Sequence, residues 1–180
     1  MAHIESKQFC LGVKQKFPAY FKSKKVLDIG SGDINGNNRF LFSDGKYVGV
    51  DVAEGPNVDI VAKCHELKNA PKYDTIISTE CFEHDMFYPQ SLEKIVKILK
   101  KRGLFLFTCA TTGRPEHGTR RIQEDVSLHT LIGNEEWSDY YKNLTEADIR
   151  AVLNIDKIFS EYRFVVGYDM CDLYFYGFKR

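Results

Sequence analysis

Two glycines flanked by carboxylates form the clearest chemical pattern in this chain. Val26-Leu27-Asp28-Ile29-Gly30-Ser31-Gly32 is an apolar run that ends on a glycine pair, and about twenty residues further on Tyr47-Val48-Gly49-Val50 ends on Asp51. Glycines at the end of a strand let the backbone turn sharply and let a ligand approach without meeting a β-carbon. A carboxylate at the tip of the neighbouring strand can accept both hydroxyls of a ribose. The pattern describes a pocket for a nucleoside-containing ligand.

The finer spacing narrows the ligand. A dinucleotide site requires Gly-x-Gly-x-x-Gly, with a helix N-terminus facing a pyrophosphate. Here Gly30 and Gly32 are followed by Asp33, Ile34, Asn35 and Gly36, so the third glycine is missing and Asp33 brings negative charge to where phosphates would sit. Asp28, ahead of the first glycine, suits an ammonium group. A ligand with ribose hydroxyls, a positively charged amino-acid end and no phosphate matches both acids, and S-adenosylmethionine has these groups. A nicotinamide oxidoreductase is disfavoured on the same residues.

These segments resemble the class I S-adenosylmethionine-dependent methyltransferases, particularly the small "type 11" kind. Val26–Gly32 resembles the family's first motif and Tyr47–Asp51 its second. Val58–His65 is similar to the third strand and the adenine-contacting turn, and Tyr73–Glu80 to the fourth strand, with Glu83-His84 matching a Glu-His that often follows. Ile98–Phe105 resembles the helix end and fifth strand. The chain departs from the pattern at Ile34, where a third glycine is usual. It departs again at Lys63 and Cys64, where an acidic residue often meets the adenine, and at Arg102, which replaces proline or glycine.

The resemblance implies an α/β, doubly wound, mostly parallel Rossmann-like sheet of seven strands with a C-terminal antiparallel hairpin. It implies cofactor contacts from Asp28, Gly30, Ser31, Gly32, Asp51, Val52, Cys64, His65, Thr79 and Glu80. Methyl transfer from a sulfonium is chemically modest: nucleophile, methyl carbon and sulfur must be aligned, and a base helps if the acceptor must lose a proton. His84 and His117 are the candidate bases, with Glu83 expected to be structural. Arg114 and Arg120 are candidates for holding a carboxylate or phosphate on the acceptor through bidentate bonds. The activity implied is methyl transfer to a small-molecule or sugar-like acceptor. The alternative is a non-catalytic cofactor-binding or protein-interaction domain on the same fold, because fold does not establish function.

Composition agrees with one globular unit over residues 1–180. Hydrophobic residues make up 43% and charged residues 28%, enough for a full core. The formal net charge is zero, so no nucleic-acid partner is indicated. No apolar run is long enough for a bilayer and residues 1–25 lack a signal-peptide core. The five cysteines, Cys10, Cys64, Cys81, Cys109 and Cys171, show no paired spacing, which suits reduced thiols of a cytoplasmic protein. Histidines do not pair with cysteines at zinc-ligand spacing, so no metal is expected. Nothing in the sequence indicates an oligomeric state.

The elements that must position these residues alternate as a doubly wound sheet requires. Residues 1–24 read as a helical cover, with an amphipathic helix over Ile4–Lys16. A short helix is expected within Asn35–Phe42, and Pro89–Lys101 carries Leu92, Ile95, Val96 and Leu99 on one helical face. Leu104–Cys109 reads as a buried strand. Thr145 and Asp148 form a capping box with Leu144 and Ile149 as its staple. Phe159–Tyr168 and Leu173–Phe178 read as strands joined by a turn at Asp169–Asp172. Residues 110–143 are far longer than the usual connection of ~4–6 residues, and they leave the sheet at its ligand-binding edge. This stretch reads as a substrate lid, with Gly113 and Gly118 as hinges around Arg114–His117 and with Trp137, Tyr140 and Tyr141 on one helical face.

Overall fold

A computed structural model describes residues 3–68 and 70–180. Seven strands form one sheet in the order β3-β2-β1-β4-β5-β7-β6. They are β1 (Lys25–Ile29), β2 (Lys46–Asp51), β3 (Ile60–Val61), β4 (Tyr73–Thr79), β5 (Leu99–Ala110), β6 (Phe159–Gly167) and β7 (Asp172–Lys179). β1 to β5 run parallel, and β7 enters antiparallel between β5 and β6. This is the expected class I arrangement.

Side-chain alternation explains why the sheet is covered on both faces. Leu27, Ile76, Phe105, Phe107 and Phe175 enter one core, while their chain neighbours Val26, Ile77, Leu104, Leu106 and Tyr176 enter the other. The first core is closed by helices α2 (Tyr88–Ile98), α4 (Glu146–Val152) and α5 (Ile155–Ile158), whose Leu92, Ile95, Ile149 and Ile155 are buried. The second is closed by α1 (Ile4–Lys16) through Cys10 and Val13 and by the 3-10 turn Arg39–Leu41 through Leu41. The central strands are therefore apolar on both sides, and exposure falls on the edge strands β3 and β6.

Local expectations hold where local chemistry decides. α1 spans the expected residues, and Thr145 caps α4 with the reciprocal Asp148 contacts of a capping box. The short helix expected within Asn35–Phe42 is the 3-10 turn Arg39–Leu41. α2 ends at Ile98, before the expected Lys101, because the chain enters β5 there and bulges between Leu99 and Leu104, with Arg102 at φ 60°. The hairpin turn stops at Cys171: Asp172 is the first residue of β7 and is fully buried. Trp137 lies in α3 (Glu135–Ser138), a helix too short to carry Tyr140 and Tyr141 on the same face. Met1, Ala2 and Asn69 lie outside the described residues, so the helical cover is seen from His3 onward. Among the described residues, no helix is long and apolar enough to cross a membrane.

Candidate functional site

The ends of β1, β2 and β4 surround an open cleft. Of the residues expected at a cofactor, Asp28, Gly30, Ser31, Gly32, Asp51, Val52, Cys64, Thr79 and Glu80 all line it. His65 does not. Its ring packs against Phe87 with centroids 4.5 Å apart, because the 3-10 turn Cys64–Glu66 presents only Cys64 to the cleft.

Gly30 adopts φ +75°, and a β-carbon there would stand 2.5 Å from Cys81 Cβ, so both conformation and space require glycine. Asp51 braces the turn. Its Oδ2 accepts from Gly32 N–H at 2.9 Å and its Oδ1 from Val52 N–H at 2.7 Å. Those bonds leave lone pairs free on both oxygens. Burial pushes the Asp51 carboxyl upward. Ser31 lines the cleft but turns its hydroxyl to Asn57 O, at 3.1 Å.

Asp28 is the more unusual acid. Its Oδ2 accepts from the Tyr47 hydroxyl and, at 3.4 Å, from Asn38 Nδ2, while its Oδ1 is buried without a partner. Burial raises the carboxyl to about 7 against the pull of those donors. A desolvated carboxyl without a cationic partner thus lines the cleft. Asp33, by contrast, is used locally and accepts from Gly36 N–H and Asn37 Nδ2.

At the end of β4, Glu80 holds a left-handed φ of 52° and accepts from Thr108 Oγ1 at 2.7 Å. His3, at the start of α1, reaches over it. His3 Nε2 lies 2.7 Å from Asp172 Oδ2 and 3.5 Å from Glu80 Oε2. Burial would lower the imidazole, but the two carboxylates override it and hold His3 at about 10, and His3 in turn holds Glu80 below the usual range.

The 3-10 turn Phe82–His84 then delivers Glu83 and His84, both buried. His84 lines the cleft, as expected of a group near the reacting atoms. Its ring stacks on His129 at 4.8 Å and meets His117 edge-on at 5.1 Å, with Tyr141 at 5.5 Å. Burial drives His84 well below its ordinary range and lowers His129 to about 4, so both imidazoles are neutral at pH 7. Glu83 is fully buried, and burial together with the nearby Glu80 charge raises it to about 8. His117 stands behind His84 and does not line the cleft, contrary to the expectation that it meets the acceptor there.

Both arginines are engaged away from the cleft. Arg114 Nη1 donates to Met170 O at 2.6 Å and lies 3.5 Å from Asp172, so it anchors the long segment to the β6–β7 hairpin. Arg120 pairs with Asp139 through Nη2 at 2.7 Å within the segment itself. Neither lines the cleft. The residues that the segment does bring there are Ser127, Leu128, His129 and Trp137. Trp137 Nε1 donates to His84 O at 2.8 Å, which fixes the segment onto the β4 turn. No motif marks these residues; only the aromatic character of Trp137 hints at an anchor.

A family model described as a methyltransferase domain matches residues 1–141. No curated protein sequence matches the chain significantly. Among solved structures, the chain is similar to the Burkholderia thailandensis 1,6-didemethyltoxoflavin-N1-methyltransferase with bound S-adenosylhomocysteine. The TM-score is 0.65 at 14% identity, covering 96% of this chain and 77% of that one. The magnesium protoporphyrin IX methyltransferase of Synechocystis with bound S-adenosylmethionine aligns with TM-score 0.62 at 13% identity, covering 100% and 86%. An N-methyltransferase from Bradyrhizobium japonicum in complex with S-adenosylhomocysteine aligns with TM-score 0.60 at 13% identity, covering 98% and 87%. With the glycine turn, the paired acids and the seven-stranded order in place, the match over residues 1–141 identifies the chain as a member of the class I S-adenosylmethionine-dependent methyltransferases.

Proposed function

We propose that the cleft seats S-adenosylmethionine between Asp28 and Asp51 and that the chain methylates a small-molecule or sugar-like acceptor. The observation that carries this reading is the placement of two desolvated carboxylates on adjacent strand ends, 23 residues apart in sequence, on either side of the Gly30–Gly32 turn. Asp28, buried with an unpartnered oxygen, suits the ammonium of the amino-acid end, and Asp51 suits the ribose hydroxyls. Cys64 and Val52 supply apolar wall where an adenine would lie.

When bound, the cofactor supplies a methyl group on a positively charged sulfur, which leaves as a neutral thioether. The chain's task is then to hold an acceptor oxygen or nitrogen in line with that carbon and keep water out. Neutral His84 and His129 on the cleft wall suit accepting a hydrogen bond from the acceptor, whose proton passes to one of these imidazoles as its bond to the methyl carbon forms and the carbon–sulfur bond breaks. The segment 110–143 acts as the acceptor lid through Ser127–His129 and Trp137 rather than through Arg114 and Arg120. Similar structures that are named for small acceptors, the toxoflavin precursor and a magnesium porphyrin, favour a small molecule here too. The five free cysteines fit a cytoplasmic protein.

The test has two arms. Calorimetry is expected to show binding of S-adenosylhomocysteine and no comparable binding of NADH, with Asp51→Ala weakening it by about 1–3 kcal/mol. Incubation of a metabolite extract with methyl-labelled cofactor is expected to label a small molecule. Labelling confined to macromolecules would overturn the acceptor class.

A further inference from the structure

Beside the cleft, and sharing its wall residue His84, lies a group of buried atoms for which methyl transfer supplies no partner. Glu83 Oε1 and Oε2, His84 Nδ1 and His117 Nε2 are all buried without a hydrogen-bond partner. One donor atom from each of Glu83, His84 and His117 lies within 4.8 Å of the others. Glu83 and His84 are 0% and 6% exposed, so water does not satisfy them from the surface.

An ionised carboxylate and an unprotonated imidazole nitrogen each offer a lone pair to a cation. His117 Nδ1 lies 3.0 Å from Pro115 O, a carbonyl, so that nitrogen carries the proton and Nε2 presents a lone pair. Polar atoms buried without a partner destabilise the fold. What they lack is a common electrophile. Two imidazoles and one carboxylate are a ligand set for a divalent transition cation, and the Pro115 carbonyl is the outer partner that fixes a ligating imidazole. The second compact acid-histidine group, His3 with Glu80 and Asp172, is different. There the imidazole sits against both carboxylates as a cation and Arg114 Nη1 lies 3.5 Å from Asp172 Oδ1, so two cations already face the two acids.

We propose that Glu83, His84 and His117 form a site for a divalent transition-metal ion of the zinc or ferrous class. The ion joins the turn after β4 to the long segment 110–143, bridging residues 33 positions apart. Gly118, at φ +62°, permits the approach: a β-carbon there would stand 3.0 Å from His84 Cε1. Three protein ligands leave at least one coordination position open. The expectation against a metal considered only histidines paired with cysteines. This set uses a carboxylate and spans distant segments, which spacing rules do not find.

The site is tested on the full chain, independently of methyl transfer. After chelator treatment and dialysis against zinc chloride, one zinc per chain is expected by elemental analysis. Glu83→Gln and His117→Ala are each expected to weaken zinc binding at least tenfold, with S-adenosylhomocysteine affinity changed less than threefold in His117→Ala. Should either variant fold poorly, cobalt substitution of the unaltered protein gives a second readout. Visible d–d bands that zinc displaces support the site. No bound zinc in the unaltered chain, or zinc binding indifferent to both substitutions, overturns it, and leaves the cluster as a hydrated polar pocket. Calorimetry of the cofactor then reports on the methyltransferase reading separately.

Discussion

Leu128 lies directly over Gly32: its Cδ1 would stand 2.3 Å from a β-carbon placed on that glycine. The long segment thus packs onto the turn that is proposed to cradle the cofactor. The two glycines of the turn consequently differ in what they exclude. A methyl on Gly30 meets Cys81 Cβ at 2.5 Å and sits at positive φ, whereas a methyl on Gly32 meets the movable end of a leucine.

Gly30→Ala is therefore expected to cost about 2 kcal/mol or more, from left-handed backbone strain plus the clash. Gly32→Ala is expected to cost less than about 1 kcal/mol while displacing Leu128 and raising hydrogen exchange at Ser127–Leu131. Urea denaturation of both variants measures this. Equal losses would mean that Leu128 is as rigidly held as Cys81.

Asp28 gives a prediction with a defined sign. Its folded value of about 7 lies above the ordinary 3.8, so the folded state holds a proton that the unfolded state releases. Apo stability contributed by this group therefore falls as pH rises from about 4 to about 7. Asp28→Asn, which cannot ionise, is expected to unfold at higher urea than the parent at pH 8, with the gap closing near pH 4. The same variant is expected to bind S-adenosylhomocysteine at least tenfold more weakly, since the ammonium loses its anion. A stabilised variant that binds normally would remove Asp28 from the cofactor site.

The His3 contact has the same sign in a more alkaline window. A histidine held at about 10 when folded contributes stability that is fully present below 6.5 and is lost as pH climbs through 10. Comparing His3→Asn with the parent isolates this term from other groups that titrate in alkali. The parent is expected to be more stable at pH 7 and the two to converge by about pH 10.5. Denaturation curves that stay parallel across that range would show that His3 is not charged in the fold.

What was legible in the sequence follows the range of the interactions. Asp28, Gly30, Gly32 and Asp51 sit within strand-turn units whose geometry is set by neighbouring residues, and they come together as expected. Thr145 and Asp148 act three residues apart and form their cap. Arg114 could not be read in this way, because its partners Met170 and Asp172 lie 56 and 58 residues away on a hairpin. Leu128 and His129 carry no motif, and only the folding of segment 110–143 back over β1 and β2 brings them to the cleft. His117 was singled out for its chemistry alone; its ring packs edge-on against His84, and it does not line the cleft.

The final prediction concerns that segment as a lid. Trp137 is the sole tryptophan of the chain, is 2% exposed, lines the cleft and donates to His84 O. It therefore reports the cleft without any label. Binding of S-adenosylhomocysteine is expected to shift its emission, and to protect backbone amides from Ser127 to Leu131 more than those from Thr111 to Thr119. The second stretch is already tied down by Arg114 and by the Thr119–Ile122 bridge. Trp137→Phe removes the indole donor and leaves His84 O buried and unpaired, a loss of about 1–3 kcal/mol. If the segment gates the acceptor, this variant is also expected to keep cofactor affinity within about threefold while transfer falls at least tenfold, or ~1.4 kcal/mol of barrier. Unchanged exchange at Ser127–Leu131 on cofactor addition, together with normal turnover by Trp137→Phe, would reduce the segment to a fixed wall.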